Sequence, residues 1–175
     1  DHDRSNRYTA RELAMNYLRG IGENGILVTH GDNDTFPIWY IQEVEGFRTD
    51  VRIVNTSLLG ADWHIDQMKY ASNESTPLNL ALGKRHYMQG ENEYVLIYDA
   101  RDSVYPLADV MKVFRHPDAK IPLTNGEYAD YIVSRRFSIP VNKENVIKYG
   151  ILDEKYADMI PSEIVLTIPE GKNGV

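Results

Sequence analysis

The apolar run GILV, residues 25–28, passes directly into THGDNDTFP. An apolar run without polar alternation reads as a strand buried on both faces, the condition that parallel strands impose. Asp34 or Thr35 can cap a helix beginning just after it. Pro37 then fits the first helical turn, and Ile38, Ile41 and Val44 make a stripe that stops at Gly46. A buried strand, a tight turn and an amphipathic helix in such close order restrict the chain to folds that lay helices on a sheet.

The same alternation extends in both directions. Upstream, TARELAMNYL couples a capping-box pair, Thr9 with Glu12, to Leu13, Ala14, Tyr17 and Leu18 at helical spacing. Downstream, DVRIVNTSLL predicts a strand and DWHIDQMKYA a helix that offers Trp63, Met68 and Tyr70 to a core. Residues 72–92 carry no clear period. EYVLIYDA then predicts a third strand, and Pro106 opens a helix through Leu107, Val110, Met111 and Phe114 that HPDAKIP ends. A strand at RRFSIPV, a helix from Asn142 to Tyr149 stopped by Gly150, and a strand at SEIVLTI follow. A chain of 175 residues suffices for one hydrophobic core and is short for two. The expectation is a single α/β domain over residues 1–175, a three-layer Rossmann-like arrangement with a mainly parallel sheet covered by helices.

In such sheets ligands sit beyond the carboxyl ends of the strands. GDND follows the first strand, NTS and then Asp62 the second, and DARD the third. If the strands are parallel neighbours, Asp32, Asp34, Asn55, Asp99 and Asp102 converge on one rim, with Asn33 and Asp62 beside them. Asp32 and Asp34 also have the Asp-x-Asp form by which many glycosyltransferases hold Mg²⁺ or Mn²⁺ against a nucleotide-sugar diphosphate, since hard cations take oxygen ligands. The competing account is structural: Gly31 turns the chain, Asn33 tolerates a left-handed backbone, and Asp34 caps a helix. DWHID places Asp62 and Asp66 one helical turn apart around His64, without a recognised metal spacing, and a dipole partner is the simpler role for Asp62.

Composition excludes several classes. A formal charge of −7 repels phosphodiester backbones, and no Lys/Arg block overrides it, so nucleic acid is not an expected partner. Arg4, Arg7, Arg11, Lys84, Arg85, Arg135 and Arg136 are scattered and read as solvated surface. The absence of cysteine removes disulfides, thiolate zinc sites and a Cys nucleophile. GIGENG matches G-x-G-x-x-G by letter, but it closes a helix and precedes a strand, the reverse of a dinucleotide-binding loop. P-loop, G-x-S-x-G and H-E-x-x-H signatures are missing. The triplets NDT, NTS and NES fit N-glycosylation and arise easily by chance. No segment reaches the ~18 consecutive apolar residues of a membrane span.

The strings DHDRSNRYTARELAMNYL, ILVTHGDNDTFPIWYIQEVEGFRTDVRIVNTSLL and DWHIDQMK together resemble a bacterial family of large multi-pass membrane proteins, long catalogued as a domain of unknown function and grouped with the transmembrane protein O-mannosyltransferases. The resemblance is tight through the first 70 residues and continues loosely through FSIPVNKENVIKYGILDEKYAD. It implies a GT-C-type glycosyltransferase using a lipid-linked sugar, whose catalytic carboxylate sits in a membrane portion not included in this chain. The chain, which opens without Met, would then be a piece of the extracytoplasmic, periplasmic part, inactive alone. It would bind an acceptor, glycan or protein, or support the membrane portion of its own polypeptide. Asp1, His2, Asp3 and Arg4 would lie near the bilayer. Lipid-phosphate donors need no nucleotide-diphosphate metal site, so no cofactor is expected under this resemblance. The alternative is a self-contained Mg²⁺- or Mn²⁺-dependent enzyme or nucleotide-sugar binder using Asp32 and Asp34.

Overall fold

The computed structural model describes residues 6–91, 95–98 and 103–169, so Asp1, His2, Asp3, Arg4, Asp99 and Asp102 lie outside the described residues. The chain divides into two compact units, Asp1–Glu93 and Tyr94–Val175.

The first unit begins with helix α1, Thr9–Arg19, and continues through strand β1, Ile26–Thr29, helix α2, Asp32–Glu45, and strand β2, Arg52–Asn55. A short 3-10 turn over Thr56–Gly60 leads into helix α3, Asp62–Met68. Strands β1 and β2 pair in parallel, with Ile26 opposite Arg52 and Thr29 opposite Asn55. Ala14, Met15 and Leu18 on α1 recur at helical spacing and pack with Ile38 and Ile41 of α2 and with Val51 and Ile53 into one buried cluster. Truncating a fully buried member such as Ile41 to alanine would cost about 2–5 kcal/mol.

Arg48 ties this layer together. Its guanidinium donates to the carbonyls of Leu18 and Ile21 at 2.8 Å each and of Gly22 at 2.9 Å, satisfying groups that the end of α1 leaves open. The connection after α3 is held in the same manner. Tyr87 donates to Asp66 at 2.6 Å and Lys84 pairs with Asp66 at 2.8 Å, while Lys69 donates to Tyr87 and, at 3.0 Å, to the Leu82 carbonyl. Residues 72–91, the described part of the stretch that carries no sequence period, are accordingly irregular, with one bridge between Ser72 and Ser75 and a 3-10 turn over Lys84–His86.

The second unit contains β3 (Leu96–Ile97), β4 (Val104–Pro106), α4 (Leu107–Arg115), β5 (Lys120–Pro122), β6 (Tyr128–Ile132), β7 (Arg136–Pro140), α5 (Lys143–Lys148) and β8 (Glu163–Thr167). Two three-stranded sheets result, ordered β3-β6-β5 and β4-β7-β8, each with one parallel and one antiparallel pair. Helix α4 buries Val110 and Phe114, four residues apart, and packs against β4, β6 and β7. Ser134, fully buried, donates to the Ser103 carbonyl at 2.6 Å and accepts from the Arg136 amide.

This architecture corrects the expectation of a three-layer Rossmann-like domain with a mainly parallel sheet. The described strands form small sheets of two or three strands, and two of the five strand pairs are antiparallel. The strand expected third beside β1 and β2 contributes β3, which pairs instead with β6. The reason lies in the connections. A parallel neighbour needs a crossover long enough to return, whereas LTNG between β5 and β6 is a tight turn that forces antiparallel pairing, with the Leu123 amide bonded to the Glu127 carbonyl at 2.7 Å.

Candidate functional site

The carboxyl ends of β1 and β2 do bring part of the expected rim together. Gly31 has φ of 82°, a backbone that side chains with a β-carbon disfavour, and it rather than Asp34 or Thr35 stands at the N-cap of α2. The helix therefore begins at Asp32, and Pro37 falls in its second turn instead of its first. The hydroxyl of Thr35, fully buried, donates to the Gly31 carbonyl at 2.7 Å and so accepts from Thr29 at 2.8 Å. Thr56 donates to the Thr29 carbonyl at 3.0 Å. With that proton committed, the 2.8 Å contact between Thr56 and His30 requires the Nδ1–H tautomer of the imidazole, which donates to Thr56. Asn55, also fully buried, accepts from the Ser57 amide at 2.9 Å and donates to the Gly31 carbonyl at 3.5 Å. These bonds lace the turn after β1 to the turn after β2.

Asp32, Asn33 and Asp34 are exposed in the first turn of α2, where the two carboxylates face the positive end of the helix dipole. Asp34 also lines a cavity of about 310 Å³ with His30, Thr56, Tyr17 and Val28. Asp62 opens α3 behind Ala61, and Asp66, one turn on, is held below the usual carboxylate range by its hydrogen bonds from Lys84 and Tyr87. Among the described residues, no group of three or more His, Asp or Glu side chains is placed to hold a metal ion. Asp99 and Asp102, expected on the same rim, lie outside the described residues, as does the stretch Asp1 to Arg4.

A second, larger concavity was missed by sequence reasoning. It has a volume of about 550 Å³ and is walled by α2, β2, α3 and the segment after α3, with Trp39, Arg52, Trp63 and His64 on its lining. His64 is fully buried and neither of its ring nitrogens has a hydrogen-bond partner. Two indoles lie near its ring, with centroid distances of 6.5 Å to Trp39 and 5.5 Å to Trp63. Burial pushes the imidazole below its ordinary pKa, toward the neutral form. Arg52 is 5% exposed and uses one corner of its guanidinium to donate to the Tyr70 and Thr76 carbonyls at 2.6 and 2.9 Å. Its Nε has no partner, and no carboxylate lies within salt-bridge distance of it among the described residues. Each unsatisfied buried donor of this kind costs about 1–3 kcal/mol. The signal for this site was an arginine inside the apolar run VRIV, an unusual residue for a strand enclosed on both faces.

No helix among the described residues is long and apolar enough to cross a membrane. None of the curated proteins and none of the solved structures matches the chain. A family model described as TMEM260-associated domain 2, a domain of unknown function in a membrane-protein context, matches residues 10–174, nearly the whole chain and both of its units. The chain belongs to the TMEM260-associated domain 2 family.

Proposed function

We propose that this chain is an accessory domain of a membrane-embedded, GT-C-like glycosyltransferase, non-catalytic by itself, which binds an acceptor or supports the membrane portion on the extracytoplasmic side. The observation that carries the non-catalytic half is the laced rim. Thr29, Thr35, Asn55 and Thr56 spend hydrogen bonds on each other and on the Gly31 and Thr29 carbonyls, with His30 anchored to Thr56 through Nδ1. Groups committed in this way brace two turns and are not held ready for a reacting atom. The transferase half is supported by the resemblance of DHDRSNRYTARELAMNYL and ILVTHGDNDTFP to the O-mannosyltransferase-related proteins, and by the membrane-protein context of the family.

The chain alone, supplied with a polyprenyl-phosphate sugar and a protein acceptor, is expected to transfer no sugar. Transfer by these 175 residues overturns the proposal. The second reading, a metal-dependent nucleotide-sugar binder, is favoured by the exposure of both Asp32 and Asp34 at one helix end. Under it, Mg²⁺ or Mn²⁺ with a UDP- or GDP-sugar raises the melting temperature, and Asp32→Ala abolishes the rise. The accessory-domain reading expects no change in either variant.

A further inference from the structure

We propose that the cavity between α2, β2 and α3 binds a small ring ligand carrying an oxyanion, a sugar phosphate or a uronic acid, with its charged group on Arg52 and its ring against Trp63. The inference is independent of the transferase proposal, because it needs only the walls of the cavity.

A cation enclosed in protein is costly unless carbonyls, aromatic faces or negative charge compensate it, and one without a carboxylate beside it gains from an anion that arrives from outside. Arg52 has two backbone carbonyls on one nitrogen, no carboxylate partner among the described residues, and no acceptor for Nε. The planar, permanently charged guanidinium suits carboxylate and phosphate oxygens better than any other side chain. His64 supplies a second group of the same kind on the same cavity. Its neutral ring carries one donor and one acceptor, both without a protein partner, and the side chain is fully buried. Two polar groups left unsatisfied on one concave wall are costly to the unliganded fold unless a ligand completes them.

The remaining lining indicates what the anion is attached to. Trp63 is half exposed and Trp39 partly buried, so flat apolar surfaces flank the polar groups. Gln67 and Asn73 add amides able to donate and accept toward hydroxyl groups. Asn73 spends an amide proton on Glu43 at 2.8 Å, which anchors that acid to its neighbour on the wall. A volume of about 550 Å³ lies within the range of ordinary small-molecule sites and exceeds what a bare inorganic ion needs. Indoles, amides, one buried cation and the Glu43 carboxylate, an acceptor for hydroxyl groups, fit a polyhydroxylated ring with a single acidic substituent and do not fit a polyanion.

The test is titration calorimetry on this chain with a panel of hexose phosphates and hexuronates, the matching uncharged hexoses, and inorganic phosphate. Binding of at least one charged sugar, tenfold or more tighter than its uncharged counterpart and than phosphate alone, is expected. Preference for the phosphates or for the uronates identifies the source of the oxyanion. Arg52→Met keeps the aliphatic stem and should abolish the advantage of charge. Trp63→Ala, at a half-exposed position, should weaken the charged sugars tenfold and leave phosphate unaffected. The proposal is overturned if no charged sugar binds, if uncharged hexoses bind equally well, or if Trp63→Ala leaves sugar affinity intact.

Discussion

Arg48 concentrates more of the first unit's stability than any spacing in the sequence suggests. It adopts φ of 53°, a left-handed backbone that a β-carbon disfavours, and its side chain closes α1 while gripping Asp50 at 2.7 and 2.9 Å. That grip, with a bond from the Asn24 amide, holds the Asp50 carboxyl at about 2, below its ordinary 3.8. Because the folded value is the lower one, the unfolded chain takes up the proton first as pH falls. The stabilisation is complete above pH 4 and disappears as pH drops toward 2. With solvent screening at this partly exposed pair it amounts to about 1 kcal/mol. Urea unfolding followed from pH 7 to pH 2 is expected to show this acid-dependent loss in the natural chain and a flatter profile in Asp50→Asn. Arg48→Met should cost more than Arg48→Gly by about 0.5–1 kcal/mol, since glycine relieves the backbone while both lose the bonds.

At the level of elements, the positions of the strand, turn and helix from Ile26 to Glu45 were legible from apolar periodicity, but the burial inferred from it held only for Ile38 and Ile41. Ile26 and Val28 are 53% and 60% exposed, so β1 is not enclosed on both faces, and Val44 of the expected stripe is exposed as well. The start of α2 was not. Asp34 and Thr35 have the chemistry of caps, but glycine at 31 can adopt a backbone that begins the helix at Asp32 and turns Thr35 inward to bond the Gly31 carbonyl. Likewise Thr9 has the form of a capping box with Glu12, yet α1 begins at Thr9 behind Tyr8, and Glu12 pairs with Arg11 at 2.7 Å. Thr35→Val, which removes a fully buried hydroxyl with two partners, is expected to cost about 2 kcal/mol in chemical denaturation, whereas Asp34→Asn should cost under about 1 kcal/mol. Equal costs for the two would mean that the acids, not the hydroxyl, hold the turn. The same contrast explains the candidate site. Carboxylates stand out in a sequence, while Arg52 and His64 acquire their significance from enclosure, which no spacing displays.

At the level of the whole molecule, helices and most strands were readable and their assembly was not. Strand partners depend on turns such as Asn125-Gly126, short enough to reverse the chain, and on runs as brief as Lys120–Pro122 that carry almost no periodic signal. Strand β8 shows what the assembly leaves open. Ile164, Val165 and Leu166 are each 43–51% exposed on a strand that pairs only through β7 among the described residues. An uncovered apolar edge is a template for association. Leu166→Lys is expected to lower light scattering at high protein concentration while leaving the melting temperature within a degree or two. Unchanged scattering would show that this edge does not drive association.

The lone guanidinium of Arg52 has a practical corollary. A fold that carries an unbalanced charge rests below its own ceiling of thermal endurance, and whatever neutralises that charge must lift it. Saturation at a hundred times the dissociation constant adds about 2.7 kcal/mol to the folded state, enough to register as a delayed melt without knowing the reaction served. Heat alone can therefore sort a metabolite library for the natural guest of this pocket.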